Sequence, residues 1–387
     1  TTVSSAGTIL CVVGARPNFM KIAPIIRAFR GGPDPIDVRL VHTGQHYDAA
    51  MNDAFFSQLK IPRPDIELEV GSASHAVQTA EIMKRFEPVV DAESPRAVLV
   101  VGDVNSTIAC ALVAAKKNIP VIHVEAGLRS FDRTMPEEVN RVLTDQISTL
   151  LFTTEPAARE NLVREGVDES RIHFVGNVMI DTLEHCLGQS VPATETLAGL
   201  PHRGLFLEGG NGYCVLTLHR PSNVDEPEVF SSILETVRTV SESIPVVFPV
   251  HPRTRNRMAE LGLQQVLESD RIACLQPVGY LEMLGLISGA RLVMTDSGGL
   301  QEETTVVGVP CITLRENTER PVTVDQGTNT IVGQDRSQIF AVMKDVLNNG
   351  GKHGRVPELW DGRAAERIKR ILNDWLQQHR SPMAATG

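Results

Sequence analysis

Short apolar runs separated by helical patterns recur along almost the whole chain, and this rhythm constrains the fold more than any other feature. In the first half the runs are Ile9 to Val13, Val38 to His42, Ala97 to Val101, Val121 to Val124, Leu150 to Thr153 and Ile172 to Val175. Strands joined through helices need crossover connections, so this half predicts a mostly parallel sheet covered on both faces. A stretch rich in Pro and Gly, from Gln189 to Gly212, interrupts the rhythm and predicts a linker or an edge. Alternation then restarts with Tyr213 to Leu218, Val246 to Val250, Ile272 to Leu275, Leu292 to Thr295, Cys311 to Leu314 and Thr330 to Val332. The expected fold is α/β, with two doubly wound, Rossmann-like domains over residues 1–186 and 187–363. A last helical pattern, Ala364 to Gln378, places Ile368, Ile371, Leu372, Trp375 and Leu376 on one stripe that must be buried.

Length and charge agree with this division. A chain of 387 residues exceeds one ordinary core and fits two domains. The net charge of −10 argues against general affinity for nucleic acid or anionic membranes, and leaves local basic pockets for a small anionic ligand. Six cysteines, Cys11, Cys110, Cys186, Cys214, Cys274 and Cys311, are scattered without zinc-site spacing and read as reduced, buried thiols. No run approaches the roughly 18 apolar residues of a membrane span, and Thr1 to Gly7 has no signal-peptide pattern. These features predict a cytoplasmic protein with a small-molecule partner.

Two carboxylates end neighbouring strand runs, in Gly102-Asp103 and in Glu125-Ala126-Gly127. The carboxyl ends of parallel strands open onto the ligand crevice, so both acids are aimed at one site. Twelve residues after Glu125, Met135-Pro136-Glu137-Glu138 looks like a helix start, with Pro136 near the first helical position, and adds Glu137. Three convergent acids predict acid–base chemistry; sharing a closed cleft, they are expected to have at least one carboxyl pKa raised by like-charge repulsion and desolvation.

Anion-binding patterns follow strands in both halves. Gly14-Ala15-Arg16-Pro17 leads into a helix bearing Lys21, a plausible seat for a diphosphate or carboxylate; a tight turn with an exposed Arg is the alternative. The dinucleotide pattern G-x-G-x-x-G is absent there, which disfavours a nicotinamide enzyme. Thr295-Asp296-Ser297-Gly298-Gly299 precedes the helical run Leu300 to Val307, where adjacent glycines and Ser297 suit a diphosphate at the helix dipole. Glu302 and Glu303 are candidate acceptors for ribose hydroxyls, and Arg320 is a further positive charge. His219 ends its strand run as Asp103 does, and His251 follows another strand. His42 and His46 have zinc-protease spacing but lack the accompanying Glu and do not read as helix, so no metal is expected.

Taken in order, these blocks together with Thr43-Gly44-Gln45-His46, His123 to Arg129, Pro136 to Arg141, Gly176-Asn177, His219-Arg220 and Thr318 to Pro321 strongly resemble the non-hydrolysing UDP-N-acetylglucosamine 2-epimerases. The resemblance implies a GT-B-like fold whose two domains face a central cleft that binds UDP-sugar, with the C-terminal helix, residues 364–387, packing back on the first domain. It also implies a homodimer and no cofactor. Asp103, Glu125, Glu137 and His219 would be catalytic, while Arg16, Lys21, Ser297, Gly298, Gly299, Glu303 and Arg320 would hold the UDP-sugar. The implied reaction inverts C2 of UDP-N-acetylglucosamine, giving UDP-N-acetylmannosamine, by elimination of UDP to a bound 2-acetamidoglucal and re-addition.

Some relatives carry an activating second UDP-sugar near segments matching Gln45, His46, Arg220 and His251. Many of them follow His-Arg with a second Arg and a Glu-Asn pair, where this chain reads His219-Arg220-Pro221-Ser222-Asn223. Four other activities are compatible: a hydrolysing epimerase releasing UDP and free N-acetylmannosamine, an epimerase of a UDP-2,3-diacetamido sugar, a glycosyltransferase of the same fold, and a non-catalytic UDP-sugar sensor.

Overall fold

The computed structural model describes residues 7–46 and 53–379, so the first residues read for a targeting signal, and residues 380–387 of the expected C-terminal segment, lie outside it. The chain forms two compact units, one of Thr1–His185 with Glu358–Gly387 and one of Cys186–Pro357.

In the first unit, seven strands form one sheet: β1 (Ile9–Val13), β2 (Val38–His42), β3 (Ile66–Glu67), β4 (Ala97–Val101), β5 (Val121–Ala126), β6 (Leu150–Thr153) and β7 (Ile172–Phe174). Their order is β3-β2-β1-β4-β5-β6-β7 and every pairing is parallel. Every residue of β1 and β4 is buried, as helices on both faces require. Strand order reverses between β1 and β4, so the loops after these two strands diverge and leave a crevice for side chains.

The second unit repeats the plan with β8 (Cys214–Thr217), β9 (Val246–Pro249), β10 (Ile272–Leu275), β11 (Leu292–Thr295), β12 (Cys311–Thr313) and β13 (Asn329–Ile331). The order is β10-β9-β8-β11-β12-β13, again all parallel, with its reversal between β8 and β11. One core cluster gathers Leu216, Phe230, Phe248, Met294 and Ile312 beneath the flanking helices.

The helix Ala364–Gln378 belongs to the first unit and buries Ile368, Leu372 and Leu376. It packs on the helix Arg16–Arg30, and Lys369 Nζ donates to the carbonyls of Gly31 and Pro33. Its first turn is capped by Asp181, whose carboxylate accepts from Ala364 N and Ala365 N at 3.1 and 2.8 Å. The return to the first unit begins ahead of this helix: Trp360 donates its indole N–H to Thr154 O, and a Cβ at Gly176 would collide with the Leu359 carbonyl. Among the described residues no helix is long and apolar enough to cross a membrane.

One strand end shapes the site directly. β5 continues past Val124 to Ala126, and its register with β6 shifts between those two residues. Glu125 is the residue in the shift, with φ of +70°. Left-handed backbone on a glutamate costs on the order of 1 kcal/mol or more, and it turns the side chain out of the strand's alternation.

Candidate active site

Each unit gathers polar side chains at the point where its own strand order reverses. In the first, Lys21 comes from the helix after β1, Asp103 from the turn after β4, and Glu125 from the bulge near the end of the adjacent β5. Lys21 Nζ donates to Glu125 Oε1 at 2.8 Å, and both side chains are almost fully buried. The pair lies over Gly102, where a Cβ would have Lys21 Nζ at 3.5 Å and Glu125 Oε1 at 4.0 Å. The neighbouring Asp103 is half-buried and accepts from Arg141 Nη1 at 2.6 Å.

Arg141 lies on the helix Pro136–Ile147 and also donates through Nε to Glu138 Oε1 at 2.8 Å. Asn140, one residue earlier, donates to Asp103 O at 2.9 Å, so this helix holds Asp103 by main chain and side chain together. Glu137, in the first turn, is half-buried and forms no ion pair with a described residue. Glu138 is buried and accepts from Ser130 Oγ at 2.9 Å and from the Phe131 main chain. One cation meets Glu125 and another meets Asp103.

The turn after β1 differs from a ready-made anion cradle. Gly14 N and Ala15 N both donate to Asn18 Oδ1, at 3.0 and 3.1 Å, so these two donors are satisfied within the chain. Arg16, half-buried, places its guanidinium 5.3 Å from the centre of the Phe55 ring, a cation–π contact.

In the second unit the reversal point joins His219, after β8, to Asp296, after β11. Asp296 is buried and accepts from the main-chain N–H groups of His219 and Arg220. Its Oδ1 also lies 3.0 Å from His219 Nδ1. Burial works to raise the Asp296 carboxyl, but His219, Arg220 N and Asn223 outweigh it and hold it below the ordinary range. Nδ1–H bonded to a carboxylate leaves Nε2 as the outward nitrogen of a ring that is 44 % exposed.

The helix Gly298–Val307 begins beside this pair, capped by the main chain of Ser297 without a side-chain cap bond. Its first-turn N–H groups have no intrahelical acceptor, the arrangement that binds anions. A Cβ at Gly298 would strike the Arg320 guanidinium, so the bare glycine lets Arg320 cross the helix start. Arg320 is buried between Glu302 and Glu319, and Glu302 is therefore its ion-pair partner. Glu303 is buried one position on, and burial together with neighbouring Glu302 pushes its carboxyl up to about 8.

The remaining residues singled out from sequence sit nearby in their own units. Gln45 is buried, and its Oε1 accepts from Ser106 N and Oγ at 2.9 and 2.6 Å. His46 is exposed, with its main-chain N donating to Gly14 O. Arg220 donates through Nε to Asp296 O at 3.3 Å. The rings of His251 and His219 are 6.3 Å apart, and His251 Nδ1 caps the helix Pro252–Glu260 through Arg253 N.

A sequence profile of the family described as UDP-N-acetylglucosamine 2-epimerase matches residues 32–373. The chain belongs to the UDP-N-acetylglucosamine 2-epimerase family.

Among the epimerases of this family, the UDP-N-acetylglucosamine 2-epimerase of Methanocaldococcus jannaschii is 42% identical over 365 residues, covering 93% of this chain and 97% of the relative. Its solved structure, in complex with UDP-GlcNAc and UDP, superposes with a TM-score of 0.84 over 95% of this chain and 99% of the other. The UDP-2,3-diacetamido-2,3-dideoxy-D-glucuronate 2-epimerase of Pseudomonas aeruginosa is 40% identical over 372 residues, covering 94% of this chain and 99% of the relative. The two parallel sheets with their flanking helices are thus the α/β, GT-B-like fold of the UDP-N-acetylglucosamine 2-epimerases.

Several groups at the candidate site are not apparent from the residues alone. Arg141 and Asn140 hold Asp103, Glu138 anchors Arg141, Asn18 fills the turn after β1, and Asp296 orients His219. A signal existed for Asp296 and Arg141, which stand inside quoted motif blocks. None existed for Asn18, whose partners depend on where the turn places two main-chain N–H groups.

Proposed function

We propose that the protein interconverts UDP-N-acetylglucosamine and UDP-N-acetylmannosamine by inversion at C2 without net hydrolysis. A base removes the C2 proton as the C1–O bond to the diphosphate breaks, giving UDP and a C1=C2 double bond in bound 2-acetamidoglucal. Re-addition returns a proton to the opposite face of C2 and re-forms the C1–O bond. Glu125, paired with Lys21, suits the base, while Asp103 and Glu137 are the further acid–base groups. His219, oriented by Asp296, serves the leaving diphosphate or the sugar, with Arg16, Lys21, Ser297, Gly298, Gly299, Glu303 and Arg320 as UDP-sugar contacts.

The observation that carries this reading is the pairing of Glu125 with Lys21 and of Asp103 with Arg141 at one strand-order reversal. A protein that only sensed a UDP-sugar would have no use for acids held in this way. Incubating the protein with UDP-N-acetylglucosamine in D2O tests it: deuterium enters C2 as the mannosamine epimer appears, and UDP does not accumulate. Full retention of the C2 hydrogen overturns proton removal, and free N-acetylmannosamine with UDP identifies a hydrolysing enzyme. The 40% identity to the diacetamido-sugar epimerase favours one second reading, a UDP-2,3-diacetamido sugar as substrate, checked by the same exchange with that sugar. By family likeness the protein acts as a homodimer, which sedimentation measures.

A further inference from the structure

Glu125 occupies a left-handed backbone conformation in the middle of a register shift, so something must hold the chain on both sides of it. A single buried carboxylate does so. Asp145, on the helix Pro136–Ile147, places Oδ1 2.6 Å from Nδ1 of His123, two residues before Glu125. Its Oδ2 accepts from Gly127 N at 3.0 Å, two residues after Glu125, and lies 2.8 Å from Arg129 Nη1. The other ring nitrogen of His123, Nε2, lies 2.7 Å from the carbonyl of Gly102, immediately before Asp103. His123 and Asp145 side chains are both 0% exposed.

Both His123 ring nitrogens therefore face acceptors, a carboxylate on one side and a main-chain carbonyl on the other. A neutral imidazole has one donor, and only the doubly protonated ring donates to both. The charged groups around the ring are consistent with this. Asp145 meets it directly, Arg129 shares that carboxylate and also pairs with Glu165, and the Lys21–Glu125 pair and Asp103 lie beyond Gly102. Burial works to raise the Asp145 carboxyl, while His123 and Arg129 outweigh it and hold it below the ordinary range.

We propose that Asp145 and His123 are positioning residues for the acid–base site, with His123, donating from both ring nitrogens, tying the end of β4 to the bulge of β5 and so fixing Asp103 and Glu125 relative to each other. This rests on the functional reading above. Neither residue touches substrate in this scheme. They act through the backbone of the two acids, and a displacement of about 1 Å at a reacting group is enough to lower turnover about a hundred-fold.

Two measurements on the full chain test it. The first is 15N NMR of the unmutated protein with labelled histidine: both His123 ring nitrogens are expected to carry a proton at neutral pH, as two facing acceptors require. A neutral His123 tautomer near neutral pH overturns the proposal. The second compares Asp145→Asn with Glu165→Gln, which alters the outer partner of Arg129 only. Asp145→Asn is expected to lower kcat about a hundred-fold while KM for UDP-N-acetylglucosamine and the Kd for UDP stay within about threefold. Glu165→Gln is expected to keep kcat within about twofold. A folded Asp145→Asn protein with full kcat, or one losing turnover and UDP binding together, overturns the positioning role. Should Asp145→Asn not fold, the NMR result decides. Absence of turnover in the unmutated protein would sink the functional reading, while the His123 spectrum would still settle the charge on that ring.

Discussion

Lys21 and Glu125 stand 104 positions apart in the chain and meet at 2.8 Å, with almost no side-chain surface left to water. Removing one member of such a pair strands the other charge in the interior. Lys21→Met is therefore expected to destabilise the protein by about 3 kcal/mol or more in urea unfolding. Replacing both residues, Lys21→Met with Glu125→Leu, should restore most of that loss and leave no turnover. A single Lys21→Met change without effect on stability would show that the pair is not buried as described.

Glu303 is pushed up to about 8 by burial and by Glu302, so its carboxyl keeps a proton at neutral pH. An amide is then a close mimic, and Glu303→Gln is expected to bind UDP within about threefold of the parent near pH 7. As pH rises through about 8 the parent gains a negative charge close to the proposed anion site. UDP affinity measured calorimetrically should fall in the parent and stay flatter in Glu303→Gln; identical pH profiles would refute the shift.

Asp181 is also raised, to about 6, chiefly by burial, against the pull of the Ala365 and Ala364 N–H groups. Its folded form holds the proton over a window, from about 4 to about 6, in which the unfolded chain has already released it. Stability should therefore fall as pH rises across that window, by on the order of 3 kcal/mol, and level off above it. Asp181→Asn is expected to lose this slope, read as the difference between the two denaturation profiles. Parallel profiles would remove Asp181 as the cause.

Gly298→Ala puts a methyl group where the Arg320 guanidinium crosses the helix start. The Arg320 guanidinium must shift, which disturbs its ion pairs with Glu302 and Glu319. UDP binding is expected to weaken at least about tenfold, with the Lys21–Glu125 and Arg141–Asp103 pairs unaffected. Unchanged affinity would mean that the turn has room the geometry does not show.

The sheets were legible because their strands are continuous apolar runs. β1, β2, β4, β6, β10 and β11 begin and end where the runs do, and so does the helix Ala364–Gln378, whose apolar stripe has helical period. β3 escaped notice because Ile66–Glu67 is too short to make a pattern. Glu125 was placed near its strand end but not in its backbone state, since no local rule puts a glutamate at positive φ; tertiary contacts impose it. Motif spacing brought Asp103, Glu125 and Glu137 to one end of one sheet. Spacing does not reveal which cation answers which acid; only the fold brings Lys21 to Glu125.

The first unit is discontinuous in sequence, closed by a helix that arrives only after all of Cys186–Pro357 has been made. On the ribosome its sheet must wait roughly ten to forty seconds, at ordinary elongation rates, before Ala364–Gln378 emerges to cover the helix Arg16–Arg30. During that interval the nascent chain presents an uncovered apolar stripe, while the second unit is already complete in sequence.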